Sequence, residues 1–280
     1  MKILVTGCTG FIGNYVINEL LRCGVEVIAS SFSKEKAESA TWFNDVTYIQ
    51  YDLHQVEENL FNKFNQPDAL IHLAWYGLPN YNKLIHFESE LPAQYHFLKT
   101  LILEGLQQIN ITGTCFEYGM KENKLSENEL SNPSNAYALA KDTLRKFLEE
   151  LQNEYSFTLK WMRLFYMYGN GQNEKSILSQ LQRAIRLKEP FFNMSQGEQI
   201  RDYLPVEKVA EYIVEVALQN KTTGIINISS NKPIKIIDFV QNYLKENNVT
   251  ISLNLGFYPY PDYEPFIFWG DNTKLLNLHS

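Results

Sequence analysis

The feature that most constrains the fold of this 280-residue chain is a short, largely apolar strand followed at once by three evenly spaced glycines and a helix. Residues 2–6 show no alternation, as expected of a parallel strand covered on both faces. Gly7, Gly10 and Gly13 follow, and apolar residues then recur at helical spacing up to Gly24. Such a turn lets the backbone approach a pyrophosphate, whose charge the free helix N–H groups face. The arrangement predicts an α/β chain with a dinucleotide site; a purely structural turn is the alternative.

Composition excludes several other classes of function. The chain is 45% hydrophobic and 20% charged, and its net charge of -7 without a long basic run disfavours nucleic acid or an anionic membrane as a partner. We expect neither a signal peptide nor a membrane span, because no segment has the required pattern. Cys8, Cys23 and Cys115 lack the paired spacing of a metal site. We therefore expect a reduced, cytoplasmic protein without a bound metal.

Two residues of a second strongly helical stretch carry candidate acid–base chemistry. Tyr137 and Lys141 are four residues apart near the start of this stretch, so they share one face of a helix. A phenol with an ordinary pKa of about 10 exchanges protons poorly near neutral pH, but a neighbouring ammonium stabilises the phenolate. The spacing indicates that Tyr137 is a general acid or base whose pKa Lys141 lowers; chance spacing on a long helix is the alternative.

The glycine spacing and the tyrosine–lysine spacing together resemble the short-chain dehydrogenase/reductase superfamily, and later segments resemble its extended branch of NAD(P)-dependent nucleotide-sugar epimerases, dehydratases and reductases. The resemblance covers nearly the whole chain. It implies a Rossmann-like, doubly wound parallel sheet from residues 1–165 with a return segment at about 203–228, and a smaller, discontinuous C-terminal substrate lobe from 166–202 and 229–280. The cofactor-binding residues that it implies are Gly7, Thr9, Gly10, Phe11, Ile12, Gly13, Asp52, Leu53, Leu73, Ala74, Trp75, Tyr137 and Lys141.

The end of the second predicted strand decides the expected cofactor. Residues 26–29 lead into a loop from Ser30 to Lys34, where the adenosine ribose of a dinucleotide lies in such folds. NAD-selective folds usually place a carboxylate here, but Ser31 occupies this position and the ammonium of Lys34 is nearby. Hydroxyls and an ammonium suit a 2′-phosphate, so we expect NADP(H) rather than NAD(H), with an ordinary polar loop as the alternative.

The segment 109–119 resembles the family's strand that ends in a hydroxyl residue beside the catalytic tyrosine. By that resemblance Thr114, five residues before Gly119, orients a substrate carbonyl, and a hydroxyl that caps the strand end is the alternative. The family's 4,6-dehydratases carry an Asp-Glu pair immediately after this residue, whereas this chain has Cys115 and Phe116, which disfavours dehydration. We expect Cys115 to be a buried bystander thiol, because adjacent strand residues point to opposite faces.

The later segments provide the candidate substrate-binding residues. Tyr166 stands where the family usually has an asparagine that bonds the sugar nucleotide, and Arg201 matches the arginine that grips its diphosphate. An ion pair of Arg201 with the aspartate that follows it is the alternative. The proline- and aromatic-rich stretch 256–269 contains Tyr258 and Trp269, whose rings suit stacking on a base or sugar, with packing against the core equally expected.

These residues lead to one favoured function and two alternatives. We expect an NADPH-dependent reductase of a nucleotide-diphosphate 4-keto-6-deoxyhexose in deoxysugar biosynthesis, with Tyr137 as proton donor. A nucleotide-sugar C4 epimerase with tightly bound NAD would use the same tyrosine, and a non-catalytic NADP-sensing or scaffold protein could share the fold. The helices expected at 87–108 and 134–151 resemble those that form a four-helix interface in the family, so we expect a homodimer.

Overall fold

The structure is a computed structural model that describes residues 1–260, 262 and 264–279. Its strands are β1 (Lys2–Thr6), β2 (Glu26–Ser31), β3 (Thr47–Gln50), β4 (Ala69–His72), β5 (Gln108–Thr114), β6 (Asn123–Leu125), β7 (Thr158–Leu164), β8 (Tyr166–Tyr168), β9 (Phe191–Asn193), β10 (Ile200–Pro205), β11 (Gly224–Ile228), β12 (Pro233–Lys235), β13 (Ser252–Asn254) and β14 (Phe268–Gly270). Its α-helices are α1 (Phe11–Arg22), α2 (Lys34–Glu38), α3 (Leu60–Lys63), α4 (Leu91–Leu103), α5 (Ala136–Leu151), α6 (Ile177–Arg186), α7 (Val206–Leu218), α8 (Ile236–Glu246) and α9 (Thr273–Leu276). In this described part of the chain, no helix combines the length and apolarity needed to cross a membrane.

Within the described residues, seven strands form one parallel sheet in the order β11-β7-β5-β4-β1-β2-β3. The order reverses at β1, because β2 and β3 lie on one side of it and β4 and the later strands lie on the other. Ligands of doubly wound sheets bind at the carboxyl ends of the strands beside such a switch point. The glycine turn follows β1 directly, and the Rossmann-like fold class predicted from the sequence is confirmed.

Two apolar layers cover the main sheet. On one face α1 packs against α7, where Val16 and Ile213 are fully buried. On the other face α4 packs against α5, where Leu98 and Leu144 are fully buried. Strands covered on both faces need no alternation of apolar and polar residues, which explains the continuous apolar runs of β1 and β4. The packing of α5 also fixes the position of the helix that carries Tyr137.

A second group of strands lies outside the main sheet and includes the three-stranded sheet β12-β10-β8. A separate apolar cluster packs beside this sheet, and in it the rings of Tyr203 and Phe239 stack with their centroids 4.0 Å apart. From β10 the chain continues through α7 to β11, which joins the edge of the main sheet. The division into a lobe of residues 1–165 with 203–228 and a smaller substrate lobe stays a prediction.

Two predicted elements differ from the structure. The single helix predicted over 87–108 is wrong, because a π-helical turn at His86–Glu90 precedes α4, and α4 ends at Leu103 before Gly105 adopts a φ of +126°. A π-helical turn is rare, and a period of 3.6 residues does not predict it. The second strand continues to Ser31, so this residue ends β2 instead of belonging to a loop.

Candidate active site

The predicted dinucleotide site is a cavity of about 460 Å³ beside the glycine turn. Gly7 has a φ of +71°, and a Cβ there would lie 2.8 Å from the backbone nitrogen of Ala74. A Cβ on Gly13 would lie 2.3 Å from the carbonyl oxygen of Gly7. Glycine is therefore required at both positions because other parts of the protein backbone approach them closely. The cavity is lined by Thr6, Gly7, Thr9, Gly10, Ser30, Ser31, Phe32, Lys36, Tyr51, Asp52, Leu53, His54, Leu73, Ala74, Trp75, Tyr76, Glu90 and Gln94.

Helix α1 begins at this cavity with an uncovered first turn. Gly10 precedes the helix in an extended conformation and has no side chain that could cap it. The first-turn N–H groups of Phe11, Ile12 and Gly13 have no partners within the helix, so they suit an anionic pyrophosphate. The residues and the cavity fit a dinucleotide.

The end of β2 places a different lysine in the cavity from the one predicted. The Nζ atom of Lys34 lies 3.5 Å from a carboxylate oxygen of Glu38, whereas Lys36 lines the cavity. The hydroxyl of Ser31 also lines it and lies 3.1 Å from the hydroxyl of Tyr48. Lys36 rather than Lys34 therefore belongs to the lining at this end of the cavity, while Lys34 pairs with Glu38 one turn further along α2.

His54 and Glu90 line the same cavity, and neither was predicted from the sequence. The ring of His54 lies between two carboxylates, with Nδ1 3.0 Å from Asp52 and Nε2 2.7 Å from the buried Glu90. Burial lowers the pKa of His54, but the hydrogen bond to Asp52 and the charge of Glu90 outweigh it and raise the pKa. Gln94 donates a further hydrogen bond to Glu90. Because 36 positions separate His54 from Glu90, no local pattern could have indicated their contact.

The side chain of Tyr137 is enclosed by aromatic rings and is 8% exposed. The ring centroids of Trp75, Tyr81 and His86 lie 5.9, 5.8 and 5.4 Å from its own. Burial raises the pKa of Tyr137 well above its usual range, and the neighbouring Tyr81 and Glu117 act in the same direction. In this state the phenol is protonated near neutral pH, and its raised pKa makes it a weak acid unless a positive charge stabilises the phenolate.

Lys141 lies deep under Trp75. Its Nζ atom donates a hydrogen bond of 2.9 Å to the carbonyl of Thr112 and lies 4.2 Å from the centroid of the Trp75 ring. Burial lowers the pKa of Lys141 to about 7, although the carboxylates of Glu117 and Glu90 oppose the change. Lys141 is not among the groups that act on the raised pKa of Tyr137, so the lowering of that pKa by Lys141 stays a prediction.

Thr114 ends β5 in a capping role. Its hydroxyl accepts a hydrogen bond from the backbone N–H of Phe116, as the capping alternative predicted. The hydroxyl hydrogen can still be donated to a substrate oxygen. The prediction that Cys115 points to the opposite face of the strand from Thr114 is wrong, because the strand ends at Thr114. Cys115 begins a 3-10 turn that ends at Tyr118. Its thiol is nevertheless buried, and burial raises the pKa of Cys115 well above its usual range.

Beneath these residues lies a fully buried carboxylate, Glu117. It accepts hydrogen bonds from the backbone N–H of Thr114 at 2.8 Å, from Nε1 of Trp161 at 3.0 Å and from Nε of Arg163 at 2.7 Å. A Cβ on Gly113 would lie 2.4 Å from this carboxylate, so the strand approaches it closely. Glu117 thus ties the end of β5 to the neighbouring strand β7.

A second cavity of about 880 Å³ is lined in part by residues 79–83. Among the described residues its lining includes the predicted Tyr166 but not Tyr258, which is 51% exposed, or Trp269. Pro261 and Tyr263 of the aromatic-rich stretch lie outside the described residues. The lining consists of Pro79, Asn80, Tyr81, Asn82, Lys83, Asn135, Tyr166, Met167, Gln172, Asn173, Lys175, Ser176, Ile177, Tyr203 and Glu264.

Arg201 is buried and already paired. Its Nη2 atom lies 3.1 Å from a carboxylate oxygen of Glu264, which also accepts a hydrogen bond from the hydroxyl of Tyr166. The alternative ion pair with Asp202 is wrong: that carboxylate accepts the backbone N–H groups of Ser230, Asn231 and Gly270. Adjacent strand residues face opposite sides, which explains the different partners. The diphosphate role of Arg201 stays a prediction.

The segment 75–83 contributes to both cavities and contacts Tyr137, which is itself in neither of the two described linings. Trp75 lines the first cavity, and Pro79 to Lys83 line the second. The backbone N–H of Tyr137 donates a hydrogen bond of 2.9 Å to the carbonyl of Tyr81. Tyr137 therefore lies against the segment shared by a cavity that fits a dinucleotide and a cavity that could hold a second ligand.

Comparison with known protein families shows to which family this chain belongs. Residues 3–229 match the NAD dependent epimerase/dehydratase family. The chain belongs to this family. The dTDP-6-deoxy-L-talose 4-dehydrogenase (NAD(+)) of Aggregatibacter actinomycetemcomitans is 28% identical over 96% of this chain and 99% of its own length. The GDP-6-deoxy-D-talose 4-dehydrogenase of the same organism is 25% identical over 99% of this chain and 91% of its own.

Solved structures of family members share the fold. A UDP-N-acetylglucosamine 4-epimerase from Methanobrevibacter ruminantium M1 superposes with a TM-score of 0.88 at 20% identity, over 100% of this chain and 92% of that chain. The UDP-glucuronic acid 4-epimerase from Bacillus cereus in complex with NAD gives 0.82 at 21% identity, over 99% and 90%. The resemblance stated from the sequence is thereby confirmed.

The buried pair of Glu117 and Arg163 yields a prediction on stability. Glu117→Gln should lower the free energy of unfolding by about 3–5 kcal/mol, because it removes the carboxylate closest to the buried Arg163 guanidinium, which lies 2.7 Å from Nε. The matched control is Glu129→Gln, which removes an exposed pair with Lys121 and should cost less than about 1 kcal/mol. Urea unfolding of both variants measures the difference, and equal effects would contradict the assigned role of Glu117.

Proposed function

We propose that the protein is a reductase that transfers hydride to C4 of a nucleotide-diphosphate 4-keto-6-deoxyhexose. The observation that carries the proposal is the position of Tyr137 and Lys141 on α5, against the segment shared by the two cavities. Two relatives of near full-length coverage support it, since their names describe 4-dehydrogenases of 6-deoxytalose nucleotides. Oxidation of a C4 hydroxyl and reduction of a C4 ketone are the two directions of one reaction.

In this mechanism the chain supplies position and protons, and a bound nicotinamide cofactor supplies the hydride. Tyr137 donates its phenolic proton to the oxygen at C4 as the carbonyl becomes a hydroxyl. Thr114 donates a hydrogen bond to the same oxygen and orients the carbonyl. The protonated form of Lys141 stabilises the phenolate that Tyr137 leaves behind.

The residues beside Thr114 support reduction over dehydration. Removal of water needs a carboxylate acid and base next to the sugar, but Cys115 and Phe116 stand at the two following positions. The buried thiol of Cys115 has a raised pKa, so it is a poor base near neutral pH. Glu117 is committed to Arg163 and Trp161 by hydrogen bonds.

For this reductase we propose NADP(H) as the preferred cofactor. Ser31 ends β2 where NAD-selective folds usually place a carboxylate, and Lys36 is one of the residues that line the same cavity. A hydroxyl and an ammonium both bind a 2′-phosphate well.

Lys36→Ala should raise the KM for NADPH at least about tenfold and leave the KM for NADH nearly unchanged, because a charge-assisted hydrogen bond to phosphate is lost. The control Lys34→Ala should change neither value, since Lys34 pairs with Glu38. Initial rates with both cofactors measure the effect. A wild-type protein that uses NADH better than NADPH would contradict the preference and would match the NAD(+) in the name of the dTDP-6-deoxy-L-talose 4-dehydrogenase.

We also propose that the enzyme acts in the cytoplasm as a homodimer. Its three cysteines are free, which fits a reducing compartment. The outer faces of α4 and α5 expose Leu103, Leu139 and Phe147 at 44–49% of their surfaces. A second copy that covers these exposed apolar side chains would remove them from water.

Light scattering should give twice the 32.6 kDa mass of the chain. Phe147→Glu should reduce this mass to that of a monomer, because it places a charge in the apolar face beside Tyr95. Phe257→Glu, at a residue 55% exposed in the C-terminal region, is the control and should leave the dimer intact. A monomeric wild-type protein would refute the proposed dimer.

Tyr137→Phe is the main test of the mechanism. It should lower kcat for reduction of a dTDP-4-keto-6-deoxyhexose by roughly 10²–10⁴-fold, because the proton donor is lost, while the affinity for NADPH changes little. Tyr155→Phe, at a tyrosine 37% exposed, serves as the control and should retain activity. Conversion of a nucleotide sugar to its C4 epimer without added cofactor would instead establish an epimerase.

A further inference from the structure

Asn135 immediately precedes α5 and caps its N-terminus. Its side-chain oxygen Oδ1 accepts a hydrogen bond of 2.9 Å from the backbone N–H of Ala138. A backbone N–H can only donate, so the atom bound to it must be the amide oxygen. The capping bond therefore fixes the orientation of the amide and leaves its NH₂ group on the other side.

The NH₂ group of Asn135 makes no hydrogen bond in the described part of the chain. The Nδ2 atom is buried and has no hydrogen-bond partner among the described residues, and the whole residue is 7% exposed. A buried polar group without a partner costs roughly 1–3 kcal/mol. Asn135 is one of the residues that line the second cavity, so a ligand bound there would lie beside this residue.

We propose that Nδ2 of Asn135 donates a hydrogen bond to a hydroxyl or ring oxygen of the sugar in the bound nucleotide sugar. This inference rests on the proposed function and assigns a substrate-binding residue to its second cavity. Asn135 stands two residues before Tyr137, whose hydroxyl acts on the oxygen at C4 in the proposed mechanism. Tyr81, whose carbonyl accepts the backbone N–H of Tyr137, lines the same cavity as Asn135.

The charges of the cavity also favour the sugar over the diphosphate as the partner of Asn135. Lys83 and Lys175 line the same cavity and are exposed, so they can meet the negative charge of a diphosphate. A neutral amide is a weaker partner for that charge than an ammonium. The amide suits an uncharged hydroxyl or ring oxygen, and its fixed orientation makes the contact selective.

The two roles of Asn135 can be separated by substitution. Serine caps helices about as well as asparagine, so Asn135→Ser keeps the cap but removes the NH₂ group. Aspartate also caps well and has nearly the same shape, so Asn135→Asp replaces the donor by an acceptor. Asn135→Ala loses the cap as well, and a lower melting temperature of this variant alone identifies the structural contribution.

The experiment measures binding by calorimetry to the protein saturated with NADP⁺. The probes are dTDP-glucose, UDP-glucose and GDP-glucose, each paired with its nucleoside diphosphate alone. For the nucleotide that the wild type binds, Asn135→Ser should weaken binding of the sugar nucleotide about tenfold and leave the diphosphate unchanged. Asn135→Asp should weaken the sugar nucleotide further, with both variants melting near the wild-type temperature.

Three results would overturn the inference: equal losses for the sugar nucleotide and the diphosphate, no loss for either, or a wild type that binds none of the three sugar nucleotides. Failure of the proposed function looks different. A wild type that shows the expected binding pattern but reduces no 4-keto sugar with NADPH or NADH would refute the reductase and leave the role of Asn135 standing.

Discussion

The hydrogen bonds of the buried carboxylate of Glu117 hold the candidate catalytic residues in their places. The carboxylate joins the end of β5, through the N–H of Thr114, to Arg163 on β7. Arg163 in turn lies 3.9 Å from Asp142, one residue after Lys141 on α5. Removing one partner of a buried ion pair costs far more than an exposed pair contributes, so these three elements are fixed relative to one another. The hydroxyl, phenol and ammonium of the site are thus positioned by charges that do not themselves touch a ligand.

The aromatic cover on Tyr137 is held by a histidine of defined tautomer. Nε2 of His86 lies 2.9 Å from the carbonyl of Asn80, which can only accept, so Nε2 carries the hydrogen. Nδ1 is then free to accept from Nε1 of Trp75 at 3.1 Å. Both nitrogens of a neutral ring are satisfied, and Trp75 is thereby held over Lys141. These two hydrogen bonds join Asn80, His86 and Trp75 within the segment 75–86, and the Trp75 ring covers the Nζ atom of Lys141.

Patterns of residues close in sequence predicted most of the fold and part of the candidate site. The glycine turn and the helical pairing of Tyr137 with Lys141 depend on residues close in sequence, and the π-helical turn before α4 is the main element that periodicity missed. Partners distant in sequence were not predictable. Arg201 pairs with Glu264 because the chain returns there after 63 positions, and nothing near either residue indicates it. The orientation of side chains on α2 could not be predicted either, because the rotation of this helix decides whether Lys34 or Lys36 lines the cavity.

The pairing of Arg201 with Glu264 also determines which charges a ligand in the second cavity would meet. The guanidinium is buried and its charge is balanced by the carboxylate, so the pair presents little net charge. The uncompensated charges of the lining are then the exposed ammonium groups of Lys83 and Lys175. A ligand whose negative charge is confined to a diphosphate matches this arrangement, with its charge at the exposed lysines and a neutral sugar toward Tyr137. A sugar bearing its own carboxylate would bring a second negative charge toward Glu264, which like-charge repulsion in a desolvated site disfavours.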